Sequence, residues 1–325
     1  FSGGLDSLLA CRVVAEAGVA VQAVRFVTPF FGYELVEQED AYRRQVREKY
    51  GIDVMLRDVS EEYLRMLAAP RHGYGKNFNP CVDCKVMLLK KAVGLMLEIG
   101  ASFIITGEVV GQRPMSQRRD TLRIIERDSG TEKYLVRPLC AKNLPPSRAE
   151  KEGLVDREKL LAFHGRGRQA QIALAEKLGI KEYQSPSGGC SLTDPNRAVR
   201  VASFYENHGS ATVNEARLLL VGRHFHLPEG GWLVLGRNEK ENVYLEQLVL
   251  AEDLTLINTS RPGPLGLLRS SSSDKEAALA AAIVVRYSKK DADEVEADVA
   301  LARAGKISAL RAGPLNGELL ESFRA

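Results

Sequence analysis

Apolar positions along this chain alternate between helical spacing and short unbroken runs. Residues 8–17 carry them at helical spacing, Gly18 stops the pattern, and 19–27 reads as a short buried strand. The cycle repeats with a helix over 37–49, a strand at 52–56 and a helix over 60–68. A loop rich in Gly, Pro and Asn at 70–80 then precedes a long helix over 81–99 and an apolar strand at 103–106. Helices alternating with short Val/Ile strands predict an α/β domain with a doubly wound parallel sheet, in which ligands bind at the carboxyl ends of the strands. Only Phe1 and Ser2 stand before a Gly-Gly pair, so the strand that should feed this loop is expected ahead of the first residue.

The texture then changes. From 113 to 190 the chain is basic and punctuated by proline, with Arg137-Pro138, Pro145-Pro146 and a helix over 168–178 preceded by Gly165-Arg166-Gly167. Beyond Pro195 come helices at 196–207 and 212–220 and strands at 224–227, 232–236 and 254–258. A run from Arg269 through four serines reads as a mobile hinge, because it offers nothing to bury. The expected division is a catalytic region over 1–135, a basic middle segment over 136–194, and a smaller α+β domain over 195–325.

Composition narrows the class. The 325 residues are 45% hydrophobic and 27% charged, an ordinary globular mix. No apolar run approaches the roughly 18–20 residues that span a bilayer, and no membrane partner is expected. Five cysteines, two of them in a C-x-x-C at Cys81 and Cys84, suggest metal or sulfur chemistry in a reducing cytoplasm and not a disulfide framework. The net charge of +3 conceals an uneven spread, since residues 113–177 hold 15 Lys/Arg against 9 Asp/Glu. That excess sits where a polyanion could be tracked by its phosphates.

The sharpest chemical motif is Ser2-Gly3-Gly4-Leu5-Asp6-Ser7, running straight into a helix. Two glycines let backbone N–H groups close on phosphate oxygens, the helix N-terminus adds positive partial charge, and the Ser2 and Ser7 hydroxyls add donors. Asp6 would repel phosphate, so its useful role is to hold a bridging Mg²⁺. The motif resembles the S-G-G-x-D-S signature of the PP-loop ATP pyrophosphatases, matched in full by residues 2–7. That resemblance implies an adenine-nucleotide alpha hydrolase-like fold. It also implies cleavage of ATP between the α and β phosphates with transfer of AMP to an oxygen, with Thr106 and Gly107 joining Ser2, Gly3, Gly4, Asp6 and Ser7 around the nucleotide.

Three further cysteines' worth of signal reduces to one set. Asn79-Pro80-Cys81-Val82-Asp83-Cys84 opens a helix beside Lys76 and Lys85, and Gly188-Gly189-Cys190 ends a second Gly-rich turn. Thiols in such loops read as ligands or nucleophiles, whereas Cys11 and Cys140 read as packing residues. With the PP-loop, this set is similar to the tRNA-thiolating 2-thiouridylases and 4-thiouridine synthetases. Thr106-Gly107-Glu108 stands where the 2-thiouridylases have T-G-H, so Glu108 departs from their pattern. The resemblance implies that Cys81, Cys84 and Cys190 ligate a [4Fe–4S] cluster with one open iron, making them catalytic together with Asp6. A persulfide route through the same thiols, with a Cys81–Cys190 disulfide, and zinc held by three Cys and His72 or His164 stay open as alternatives.

Candidate RNA contacts are Arg113, Arg118 and Arg119 beyond the 103–106 strand, Arg166 and Arg168 in the basic segment, and Arg237. Gln112 and Gln117 share the first of these loops and face the expected ligand crevice. Val221-Gly222-Arg223 and Leu235-Gly236-Arg237-Asn238 resemble the RNA-binding region of NFACT proteins, and Lys240 follows closely. The expected activity is ATP-dependent tRNA thiolation, with tRNA and a sulfur-donor protein or inorganic sulfide as partners. A PP-loop enzyme acting on a small molecule with structural zinc, and a non-catalytic RNA-binding factor, are the rival readings.

Overall fold

The computed structural model describes residues 1–183, 189–271, 273–290 and 295–324. The chain divides into two compact units, Phe1–Val213 and Asn214–Ala325. The first unit runs α1 (Leu5–Glu16), β1 (Gln22–Val27), α2 (Glu39–Tyr50), β2 (Asp53–Asp58), α3 (Ser60–Ala68), α4 (Cys81–Glu98), β3 (Ile104–Ile105) and α5 (Arg119–Ser129). It continues with β4 (Leu135–Val136), α6 (Arg148–Lys151), α7 (Gln169–Lys177) and α8 (Pro195–His208), and α9 (Val213–Leu218) lies at the boundary.

Local chemistry sets the limits of these helices. α2 starts with Glu39 and Asp40 and ends with Arg47 and Lys49, charges that suit its dipole, before Gly51 turns left-handed at φ 65°. α8 begins where Asp194 accepts from the N–H groups of Asn196 and Arg197, with Pro195 in the first turn. In α5 the buried Leu122, Ile125 and Ser129 share one face.

The expected parallel pairing is present, but only in pieces. β1 and β2 are parallel from Gln22↔Asp53 to Val27↔Asp58, and β3 and β4 are parallel over Ile104↔Leu135 and Ile105↔Val136. Among the described residues these form two separate two-stranded sheets and not one doubly wound sheet. The reason is the brevity of β3 and β4, two residues each, which hydrogen-bond with each other and with no other strand. Parallel order still directs the strand carboxyl ends and their loops to a common side within each pair.

α1 is packed on both faces. Leu8 and Cys11 join Ala23, Val46, Ile52 and Val54, while Leu5, Leu9 and Val13 join Val109, Val136, Leu139 and Cys140. Cys11 and Cys140 are thus core residues. Ala149, Val155, Leu160, Ala175 and Ile180 of the basic stretch bury in that second cluster too, so this stretch shares a core with α1. α8 also packs in the first unit, its Tyr205 hydroxyl donating to the Leu64 carbonyl.

The second unit contains β5 (Arg223–His226), β6 (Trp232–Leu235), α10 (Glu239–Glu246), β7 (Leu254–Asn258), β8 (Gly266–Arg269), α11 (Asp274–Tyr287), β9 (Ala297–Arg303), β10 (Lys306–Ala312) and α12 (Gly317–Phe323). Its six strands form an antiparallel sheet in the order β10-β9-β7-β8-β6-β5. α11 buries Ala277, Ala280, Ala281, Val284 and Val285 in the core cluster shared with that sheet. The α+β character matches expectation, but Arg269 is not part of a hinge. It closes β8, and its guanidinium makes paired hydrogen bonds of 2.9 and 2.7 Å to buried Asp253. The polar letter R concealed a strand position because its charge is neutralised by a partner sixteen residues away. Ser272 lies outside the described residues. No helix among the described residues is long and apolar enough to cross a membrane.

Candidate functional site

The Gly-Gly loop is built as the chemistry requires. Gly3 is left-handed at φ 75°, Gly4 is the extended N-cap of α1, and no side chain caps the helix. The first amides of α1 therefore stay open to an anion. Ser7 donates its hydroxyl to the Gly4 carbonyl at 2.8 Å, and the Ser2 hydroxyl reaches Ser7 at 3.2 Å, which folds the loop over the helix start. Gly107 presses against this turn: a Cβ there would come within 2.5 Å of the Asp6 carbonyl. The Thr106 hydroxyl, in contrast, donates to Glu108 at 3.2 Å.

Asp6 has a surround that its sequence neighbours do not announce. The Gln112 amide donates to Oδ2 at 2.7 Å, Gln171 backs Gln112 at 3.2 Å, and the Arg168 guanidinium stands 3.4 Å from Oδ2. Asp6 Oδ1 is buried without a hydrogen-bond partner. A buried carboxylate oxygen is costly to leave unpaired, and a cation at this atom would complete it. Arg168, expected to contact RNA, is thus brought beside Asp6 in the Gly-Gly loop. It arrives because Gly165 hydrogen-bonds to Val110 and packs on Gly111, which lays the 165–168 turn beside the loop that follows β3. A short Gly-rich turn with two arginines carried that signal, but only folding shows that one of them stands beside Asp6.

Behind Gly107, Glu108 is 2% exposed and sits between two cations. Lys85 Nζ lies 2.7 Å from Oε1, Arg137 Nε donates to Oε2 at 2.9 Å, and Arg137 also pairs with Glu126. Burial alone would raise this carboxyl, but the charges of Lys85 and Arg137 outweigh it and hold Glu108 at about 2. The residue that departs from T-G-H is therefore a fixed anion. It ties α4, through Lys85 after Cys84, to Arg137 just past β4 and to the loop against Asp6.

The three loop cysteines are brought toward each other. Cys81 and Cys84 occupy the first turn of α4, and Asn79 Nδ2 donates to the Cys81 sulfur at 3.1 Å. Cys190 comes from 106 positions further on, placed by two clamps. Ser191 N–H donates to the Phe30 carbonyl at 2.8 Å, and Asn77 Nδ2 donates to the Thr193 carbonyl at 2.9 Å. The buried Tyr63, packed between Phe30 and Phe31, presents its hydroxyl to Cys190 and feels the charge of all three sulfurs. Burial pushes the Cys84 thiol up to about 12, with Cys190 and Cys81 adding repulsion that Lys85 opposes. Burial likewise raises Cys190 to about 11. A cavity of about 370 Å³ opens next to Cys190, lined by Phe30, Phe31, Glu34, Asp194 and Arg197 among others.

Single-ion geometry is not formed here. Among the described residues no group of three His, Cys, Asp or Glu side chains is placed to hold one metal ion. His72, weighed as a zinc ligand, has both ring nitrogens occupied, Nδ1 by Asp83 and Nε2 by Asp128, each at 3.0 Å. His164 is exposed.

The expected RNA-binding arginines separate into groups. Arg118 pairs with Asp120 at 3.0 Å, Arg119 donates to the Asn143 carbonyl, and Arg237 lies 4.0 Å from Glu241. Arg113 and Arg166 are exposed. The Gly236-Arg237-Asn238 segment is a structural turn: Asn238 caps α10, and Gly236 packs so tightly on Asn242 that a Cβ would meet its side chain at 2.0 Å.

Comparison with known proteins matches this two-part reading. Residues 1–144 match the family model described as thiamine biosynthesis protein (ThiI), and residues 222–324 match that of the NFACT protein RNA binding domain. A curated relative, the probable tRNA sulfurtransferase of Thermococcus kodakarensis (strain ATCC BAA-918 / JCM 12380 / KOD1), is 29% identical over 156 residues. The match covers 48% of this chain and 38% of that protein, so the chain spans little more than a third of its relative's length. Among solved structures, the C-terminal part of the fibronectin/fibrinogen-binding protein from Streptococcus suis aligns at 14% identity over 75% of this chain and 99% of that one. Its TM-score of 0.29 is too low for any argument about shape. The chain is accordingly similar to the ThiI family over its first 144 residues and to the NFACT RNA binding domain over residues 222–324.

Proposed function

We propose that this chain is an ATP-dependent tRNA-thiolating enzyme that adenylates a uridine carbonyl oxygen and replaces it with sulfur. The observation that carries the reading is the gathering of Cys81, Cys84 and Cys190 around Tyr63, in the same unit as a complete S-G-G-x-D-S loop. The name of the Thermococcus relative points the same way.

In this reading the open amides of α1, with Ser2, Gly3, Gly4 and Ser7, hold the ATP phosphates, and Arg168 supplies the fixed cation that the loop itself lacks. Asp6, whose Oδ1 lacks a hydrogen-bond partner, would hold the Mg²⁺ that neutralises the phosphates, and Gln112 fixes the carboxylate by donating to Oδ2. A uracil oxygen is a poor leaving group until ATP adenylates it with release of pyrophosphate; sulfur then adds to the ring carbon and the C–O bond breaks, the oxygen leaving on AMP. The base must be unpaired or flipped out for that oxygen to be reached. The cavity beside Cys190, with aromatic Phe30 and Phe31 and polar Glu34 and Arg197, is the place for such a base.

Three cysteines that share Tyr63 as a neighbour offer thiolate ligands of the kind a cluster takes at separate irons. A [4Fe–4S] cluster on Cys81, Cys84 and Cys190 would supply an open iron for sulfide. Around it the protein's part is to shield the thiols in part, to set Tyr63 Oη against Cys190, and to keep the Lys85 cation beside Cys84. Sulfide itself, or a donor protein, would deliver the sulfur.

The test is anaerobic purification with iron, acid-labile sulfide and zinc measured per chain, alongside AMP release and thiouridine formation on tRNA. Iron and sulfide near four each, lost in Cys81→Ala, Cys84→Ala and Cys190→Ala, with AMP release lost in Asp6→Ala, is the expected pattern. Thiouridine formed without iron would leave persulfide transfer through the same thiols. AMP release that persists in Asp6→Ala would overturn the assignment of the loop.

A further inference from the structure

The second unit carries 14 Lys/Arg against 16 Asp/Glu between 214 and 325, so its net charge does not attract RNA. An RNA-binding surface must therefore be local, and one end of α11 concentrates the cations. Its last turn and the following residues read Arg286-Tyr287-Ser288-Lys289-Lys290. This end is rigid: the Ser288 hydroxyl donates to the Val284 carbonyl at 2.8 Å, and Lys289 N–H donates to the Pro262 carbonyl at 2.8 Å.

Two more arginines converge on Tyr287 from other elements. Arg223, on the edge strand β5, lays its guanidinium 4.8 Å from the Tyr287 ring centre and is braced by the Gly236 carbonyl at 3.3 Å. Arg324, just past α12, donates to the Tyr287 hydroxyl at 2.9 Å and pairs with Glu321 at 3.0 Å. Arg286 is exposed over the start of α12, near Gly317. Lys289 and Lys290 are exposed as well. Asp291, Asp293 and Glu294 follow in sequence and lie outside the described residues.

A cation at a helix C-terminus is stabilising by itself, but that accounts for Arg286 alone. It does not account for a braced guanidinium stacked on a tyrosine with exposed lysines beside it. Such a combination, a π-platform flanked by phosphate-reaching cations, is what unpaired nucleotides require. We propose that the C-terminal end of α11 is the RNA-docking face of this domain. It takes a single-stranded segment, with a base stacked on the Arg223–Tyr287 pair and its phosphates against Arg286, Lys289, Lys290 and Arg324. The proposal rests on the RNA-directed function given above and adds where, and in which form, the RNA is held.

The test uses the full chain and two fluorescein-labelled probes, a 12-nucleotide unpaired RNA of mixed sequence and a duplex of the same length, followed by anisotropy across a salt series. Replacing Arg286, Lys289 and Lys290 together by Gln should weaken single-strand binding about tenfold or more. It should also flatten the dependence of log Kd on log salt by about 2, at about 0.7 per lost phosphate contact. Arg223→Met should weaken binding about fivefold or more through lost stacking. Lys306→Gln serves as the control. It lies at the β9–β10 turn, where the neighbouring Arg303 donates to Ser271 at the other end of α11, and should change nothing. An unchanged emission of Trp232 confirms that each variant is folded. If the triple variant binds within twofold of the parent at the same salt slope, this face is wrong while RNA binding, and the thiolation reading, stand. If the parent prefers the duplex, the single-strand assignment is wrong. If the parent binds neither these probes nor tRNA, both readings fall.

Discussion

Replacing Glu108 by Gln keeps the shape of the side chain and removes its charge, which isolates what the buried anion does. In the parent protein the carboxyl is held at about 2 against 4.5 for a free glutamate by Lys85 and Arg137. Such a difference corresponds to about 3 kcal/mol of stability at neutral pH. The same magnitude follows from another direction: removing one partner of a buried ion pair costs about 3–5 kcal/mol. Here Glu126 still pairs with Arg137, so the lower end applies. The sign fixes the pH window. A carboxyl depressed in the folded state stabilises fully above its unfolded value and loses that contribution as pH falls from about 4.5 toward about 2. Glu108→Gln should therefore lower the unfolding free energy by about 3 kcal/mol at pH 7 and by only about half as much at pH 3. Urea titrations followed by far-UV circular dichroism measure it. The single tryptophan, Trp232, belongs to the second unit, so its emission follows that unit separately. A loss under about 0.5 kcal/mol at pH 7, or a loss equal at both pH values, would refute the claim that Glu108 is a paired buried anion.

Gly107→Ala places a methyl group within 2.5 Å of the Asp6 carbonyl, where backbone has to yield, and should weaken ATP binding about tenfold or more with the second unit's Trp232 emission unchanged. An alanine variant that binds ATP normally by calorimetry would mean that Thr106-Gly107 does not abut the loop. Arg168→Met should raise the Kd for ATP about tenfold while leaving the salt slope of RNA binding alone; the reverse outcome would return Arg168 to the RNA contacts that its basic segment suggests. In the metal-free protein, Cys84 and Cys190, at about 12 and about 11, should react slowly with iodoacetamide at pH 8 and faster only as pH rises toward those values. Rapid modification of both at pH 8, read by peptide mass spectrometry, would show that their burial is wrong.

The sequence by itself determined the local pieces. S-G-G-L-D-S before an amphipathic run specifies a glycine turn and an uncapped helix start whatever surrounds it, because both depend on neighbouring residues only. The limits of α7 and α8, and β7 at 254–258, were legible for the same reason: glycine stops, an Asp-Pro start and strand periodicity are short-range. Cys11 and Cys140 were legible as packing residues from the apolar company they keep. What tertiary structure decided is every partner at long range. Periodicity cannot tell a paired charge from a solvated one, so Arg269 read as part of a hinge until Asp253 was found beside it, and no pattern placed Arg168 beside Asp6. The same holds for Glu108, whose role is set by Lys85 and Arg137 from two other elements, and for Cys190, whose place beside Tyr63 depends on clamps at Phe30 and Asn77. Nor does strand pattern alone join strands into one sheet, since ladder bonds depend on lengths that β3 and β4 lack. Charges and thiols take their chemistry from neighbours a few ångström away, and in this chain those neighbours stand tens of residues apart.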